Sequence, residues 1–250
     1  MAAYRSGVFF GLLRHVIIVS MAIILWSVIY KYNRIIDGYD FKSIVTYYLF
    51  VEIVDIFYTT TSARVLSRDI NKGDLNNYLL KPINYWSYIQ FYSFGLMSNY
   101  VLFGILAFIL GGIFFPQVIF FPTSPTLLIL TVITLIISSV LYNQIFYLVG
   151  CLTFWISETS HFRSGIKQLL GVMGGRWVPL VFFPPFLTQV LDSTPFPYLF
   201  SYVFKIYNGS LNYIDTVNIL SREILWLAAL SIFGYLMWRK GIVKYEAFGR

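Results

Sequence analysis

The chain has 250 residues, 58% of them hydrophobic and 12% charged, against the roughly 25% charge of a soluble domain. So much apolar surface, with 24 Phe and 20 Tyr, excludes an ordinary water-soluble protein and points to an integral membrane protein. The net charge of +7 admits nucleic acid as a partner, but in a membrane protein it reads as Lys and Arg bias in inner loops, so no nucleic-acid partner is expected. Cys151 is the single cysteine, which leaves no intrachain disulfide.

The first fifteen residues alternate Arg5 and Arg14 with Val8, Phe9, Leu12 and Leu13. This fits a basic amphipathic helix lying at the inner interface, or an extension of the first span. That span is predicted over Val16 to Tyr30. It has no small-residue cleavage site after it, so it is expected to stay in place rather than be removed as a signal peptide. Five more spans follow: Ile44 to Ser62, Phe91 to Phe115, Thr126 to Trp155, Ile166 to Phe183 and Ile224 to Trp238. The fourth is long enough to tilt or project. The expectation is an all-α membrane protein with six transmembrane helices in a single domain.

Loop charges set the orientation. With the N-terminus inside, inner segments hold Arg5, Arg14, Arg64, Arg68, Lys72, Lys81, Arg163, Lys167, Arg239, Lys240, Lys244 and Arg250, twelve of 18. Outer segments hold five, Lys31, Arg34, Lys42, Lys205 and Arg222, and Arg176 falls within the fifth span. Both termini are therefore expected inside.

Between the second and third spans lies the most polar long segment, "SRDINKGDLNNYLLKPINYW", Ser67 to Trp86. Asn71-Lys72-Gly73-Asp74 reads as a turn. Leu75, Tyr78, Leu79 and Ile83 then fall near helical spacing before Pro82 limits the helix. A solvated loop resting on headgroups and a docking element for another protein both fit this region, 64–90. A second anomaly is 182–213, apolar but broken by Pro184, Pro185, Pro195 and Pro197. It reads as short helices dipping into the outer leaflet and returning, a backbone that survives there only if packed in protein or lining a cavity.

No enzyme constellation is present: GxxxxGK[ST], HExxH, CxxC and GxSxG are all absent, so the chain is expected to hold no ATP site, cofactor or metal of its own. His15 and His161 read as interfacial polar residues. Gly171, Gly174 and Gly175 read as packing glycines. Glu52 and Asp55 lie in the second span, on one face by their i, i+3 spacing, and Arg176 in the fifth. They fit a structural ion pair, a polar substrate lining or a proton-coupled site. One Arg cannot fully satisfy two carboxylates, so further help is expected. A proton-coupled carrier using Glu52 and Asp55, or a channel, stays open on these residues alone.

Two stretches together resemble a known family. Ile70 to Pro82, "INKGDLNNYLLKP", looks like the "I..G.L...LL.P" signature of ABC-2 type transporter permeases. Pro179 to Pro184, followed by Thr194-Pro195-Phe196 and Tyr207-Asn208-Gly209, looks like their "P..FFP…PF…G" pattern. The resemblance runs nearly end to end and implies the following. Arg68, Asp69, Lys72, Gly73, Asp74, Leu75, Tyr78, Leu79, Leu80 and Lys81 would form the coupling region seated on a separate ATP-binding subunit. The proline-broken segment, with Pro184, Pro185, Pro195, Phe196 and Gly209, would close the outer end. Two permease chains would pair above two ATPase chains, which hold the ATP and Mg, in a bacterial inner membrane. Thr153 to Ser160 offers a second inner contact. The aromatic content suits a hydrophobic or amphipathic substrate.

Overall fold

The computed structural model describes residues 2–32, 35–114, 122 and 124–245. Helix α1 (Ala2–Ile29) runs unbroken through the boundary expected near Val16. Residues 2–15 therefore belong to the same helix as the first span. The side chains of Arg5, Val8, Phe9, Leu12 and Arg14, on which the amphipathic reading rested, lie outside the described residues.

A small hairpin, absent from the all-α expectation, leads into the next helix. Strands β1 (Ile35–Ile36) and β2 (Tyr39–Asp40) pair antiparallel around Asp37-Gly38, whose φ angles of 47° and 81° suit a two-residue hairpin turn. Asp40 ends the strand and starts α2 (Phe41–Ile56), its side chain accepting from the Ser43 amide at 2.8 Å.

Helix α2 has 16 residues, roughly 24 Å, and stops at Ile56 instead of continuing to Ser62. The Thr59-Thr60-Thr61 run ends it. The Thr59 hydroxyl oxygen takes the Thr61 amide at 3.1 Å, a local bond that competes with helix continuation. The chain restarts as α3 (Thr61–Lys72), which buries Ser62, Val65, Leu66 and Asp69 and exposes Arg64, Arg68 and Lys72. A single turn, α4 (Asn76–Leu79), leads to α5 (Tyr85–Phe114).

Helix α6 (Pro125–Cys151) gains a 3-10 turn to Phe154, and the last helix, α10 (Tyr213–Ile242), is equally long. Both 30-residue stretches are long and apolar enough to cross a membrane. Each carries an outward apolar face, Ile129, Val132, Ile133 and Ile136 on one and Leu225, Ile232, Phe233 and Leu236 on the other, a surface that water does not tolerate at this extent. Helix α5 has 30 residues as well.

The expected fifth span, Ile166 to Phe183, is interrupted. Helix α7 (Ser160–Met173) ends after 14 residues, and the chain continues through irregular backbone to α8 (Pro185–Asp192) and α9 (Ser201–Tyr207). The main core gathers where α2, α6 and α9 meet, around Tyr47, Val51, Tyr142, Phe146, Phe200 and Phe204. A second core, Leu66, Leu75, Tyr85, Ile89, Tyr147, Cys151 and Phe154, joins α3, α5 and α6, with Trp238 and Tyr245 packed on it.

Candidate functional site

Three arrangements concentrate the polar chemistry. The first is a buried ion cluster. Arg176, in the loop after α7, places its Nη2 at 3.0 Å from Glu52 Oε1 and its Nη1 at 3.0 Å from Asp55 Oδ1. The i, i+3 spacing on α2 thus puts both carboxylates on one guanidinium. His15 Nδ1 of α1 bonds the other Glu52 oxygen, so a further partner for the carboxylates comes from within the chain. His15 is thus part of this cluster. Glu52 and Asp55 lie in the last five residues of α2. His15, Glu52 and Asp55 hold their ligand atoms within 4.8 Å of one another, as a metal site would. The permanent charge of Arg176 already occupies that space, so the donor set fits ion pairing better than a divalent cation. Arg176 also lies 5.2 Å from the Trp177 ring centre.

The second arrangement holds the irregular chain at 174–207. Its carbonyls are capped by hydroxyls from neighbouring helices. Tyr47 donates to Gly175 O at 2.5 Å, Tyr48 to Trp177 O at 2.9 Å, Ser138 to Tyr198 O at 2.8 Å and Tyr58 to Leu199 O. Ser201 N reaches Gly174 O at 3.1 Å. This is how non-helical backbone stays satisfied at depth: buried protein hydroxyls replace water. Gly175 has φ 94°, and a Cβ there would sit 2.8 Å from the Tyr47 hydroxyl, so the turn requires glycine. Pro184 and Pro185 start α8, where a missing amide costs nothing. Pro195 is buried and Phe196 half-buried against the turn at Gly174. Gly209, φ 65°, ends α9. Tyr198, Leu199, Phe200, Val203 and Phe204 of this segment are packed in protein, within the main core.

The third arrangement is the hairpin tip between α3 and α5. Gly73 caps α3 with φ 77°, as the turn at Asn71 to Asp74 predicted. Leu75 is fully buried and its amide returns to Asp69 O at 3.0 Å. Asp69 was expected among the exposed charges that meet a partner. It is instead buried, accepting from Arg68 Nη2 and the Tyr85 hydroxyl, each at 2.8 Å. Its place in the stripe with Ser62 and Leu66 turns it inward. Leu79 and Leu80 stand out, Leu80 at 87% exposure, beside exposed Lys72, Asp74 and Lys81. The expected apolar face therefore splits: Leu75 anchors, Tyr78 is half-buried against Tyr88, and Leu79 and Ile83 face outward. A cleft of about 430 Å³ lies beside the tip, with Tyr78, Lys81, Trp86, Tyr147 and Trp238 in its walls.

The loop after α6 packs against α3. The hydroxyls of Ser67, Thr153 and Thr159 meet at 2.7 and 2.8 Å, and Asn71 Nδ2 donates to Ser157 O at 2.9 Å. The stretch Thr153 to Ser160 therefore adjoins the hairpin. Sequence reasoning missed two groups. One is the amide ladder of Gln90, Asn143 and Gln144 joining α5, α6 and the Leu230 carbonyl of α10. The other is Glu223, fully buried on α10, just outside the span drawn for it.

A comparison with curated proteins finds no match. A family model described as ABC-2 family transporter protein matches residues 16–249. That range takes in the tip motif, the proline-broken segment and every helix from α2 to α10. This membrane-embedded chain belongs to the ABC-2 family of transporter proteins.

Proposed function

We propose that the chain is the six-span permease subunit of an ATP-driven exporter, paired with a second permease chain and driven by two separate ATPase subunits that hold the ATP and Mg. The observation that carries this reading is the hairpin tip. Leu79 and Leu80 are exposed on a turn made rigid from below by Leu75 and the Asp69–Arg68–Tyr85 bonds. An apolar pair ringed by Lys72, Asp74 and Lys81 is what a protein partner buries, the leucines supplying contact and the charges supplying selectivity. The adjoining cleft suits an apolar side chain of that partner. Both termini face the cytoplasm of a bacterial inner membrane, and the aromatic interior suits a hydrophobic or amphipathic cargo such as a peptide, antibiotic or lipid-like molecule. Glu52 and Asp55 are engaged by Arg176, which supports a structural role over that of a self-sufficient proton carrier.

The test is a mild-detergent pull-down of the tagged chain followed by an ATPase assay. Recovery of a P-loop subunit is expected, with loss of that subunit and of transport-coupled hydrolysis in Leu79→Asp and Leu80→Asp variants that melt like wild type. A chain that moves substrate alone, with no ATPase recovered, overturns the reading.

A further inference from the structure

Glu223 is fully buried on α10, and among the described residues it takes part in no ion pair. Its Oε1 lies 2.6 Å from the Ser138 hydroxyl, and its Oε2 has no hydrogen-bond partner among the described residues. Ser138 also lies 2.8 Å from the Tyr198 carbonyl, and the Tyr58 hydroxyl beside it reaches the Leu199 carbonyl. Three contacts, to Leu199 O, Tyr198 O and Glu223 Oε1, thus share the hydrogens of two hydroxyls. A serine or tyrosine hydroxyl has one hydrogen each, and carbonyls have none. With Glu223 as a carboxylate, one short oxygen–oxygen contact would hold no hydrogen. Among the described residues the missing hydrogen has one source left, the carboxyl itself.

We infer that Glu223 is a proton-binding site: as the neutral acid it donates to Ser138, which frees the serine hydrogen for Tyr198 O, and its ionisation reverses that arrangement. A carboxylate is the stronger acceptor. On losing its proton it takes the Ser138 hydrogen, and the Tyr198 carbonyl is left buried without a donor, a costly state. The proton on Glu223 therefore latches the start of the 198–207 segment to α6. The groups that face the site are Ser138 on α6, Tyr58 after α2, Tyr198 on the segment and Arg222, which lies against Tyr198; Asp55 and Tyr142 approach Tyr58 from behind. This inference is independent of which partner drives the chain.

The test is infrared spectroscopy of the full-length chain in lipid nanodiscs across pH, with hydrogen exchange on the same samples. Wild type is expected to show a protonated-carboxyl stretch at neutral pH that Glu223→Gln lacks. Ser138→Ala should move that band to higher frequency by removing its acceptor. As pH rises and the band fades, amides of 196–203 should exchange severalfold faster in wild type than in Glu223→Gln at the same pH. No such band in wild type at neutral pH overturns the protonation. A fading band with no difference in exchange overturns the latch. If Glu223→Gln does not fold, the pH titration of the wild-type band and its shift in Ser138→Ala decide the first point alone.

Discussion

At the scale of single residues, the ion cluster shows what spacing reveals and what it hides. Glu52 and Asp55 announce a shared partner by their i, i+3 separation, and Arg176 was the one cation in a span to meet them. His15 was not legible, because no pattern in α1 says which helix it faces. Glu223 was hidden by its neighbours: Ser221 and Arg222 made that turn of α10 look like the polar end of a span. Removing Arg176 leaves two buried carboxylates facing each other, so Arg176→Met should destabilise the chain by about 3–5 kcal/mol. The triple variant with Glu52→Gln and Asp55→Asn should regain part of that loss. Thermal melting in detergent reads both, and an Arg176→Met protein that melts like wild type would remove the cluster from any account of stability. Tyr47→Phe keeps the packing against Phe204 but strips the donor from Gly175 O, for a loss of about 1–3 kcal/mol.

At the scale of elements, hydropathy found the cores of the long helices and misplaced their ends. Helix α2 ends early because a threonine run closes on itself, and an apolar count treats threonine as neutral. Helix α7 ends early because two glycines let the chain turn against Tyr47, and the sequence offered them only as packing residues. The turn at Gly73 was legible, since glycine between polar residues has few other uses. Gly73→Ala forces an L-residue to φ 77°, at a cost of about 1–2 kcal/mol. The strain falls on the tip rather than on the spans. The expected result is weakened recovery of the ATPase subunit with little change in the melting of the main core. Equal losses of both would mean that the tip and the core unfold as one unit.

At the scale of the whole molecule, the two cores mark two ends. The second core gathers α3, the start of α5, the end of α6 and the end of α10, and with them Arg68, Lys72, Lys81, Arg239 and Lys244. At the other end the β-hairpin touches the proline-broken segment, with Tyr39 6.1 Å from Phe182. These five cations are among those that the charge count assigns to inner segments. In a Cys151→Ala background, Leu80→Cys should label only from the cytoplasmic face of sealed vesicles and Ser193→Cys only from the opposite face. Labelling of both from one side would refute the proposed orientation.

The tyrosine and serine hydroxyls that cap the broken segment also bear on biosynthesis. The stretch from Gly174 to Leu199 has carbonyls that α2 and α6 satisfy, so it has no stable place in a bilayer before those helices are there. The ribosome delivers α2 and α6 first. Order of synthesis thus matches order of need, and the segment can fold into a receptor already waiting for it. A rearranged gene in which residues 174–207 emerge before α2 should yield a chain that is held by membrane chaperones or degraded, although every contact of the finished protein remains encoded.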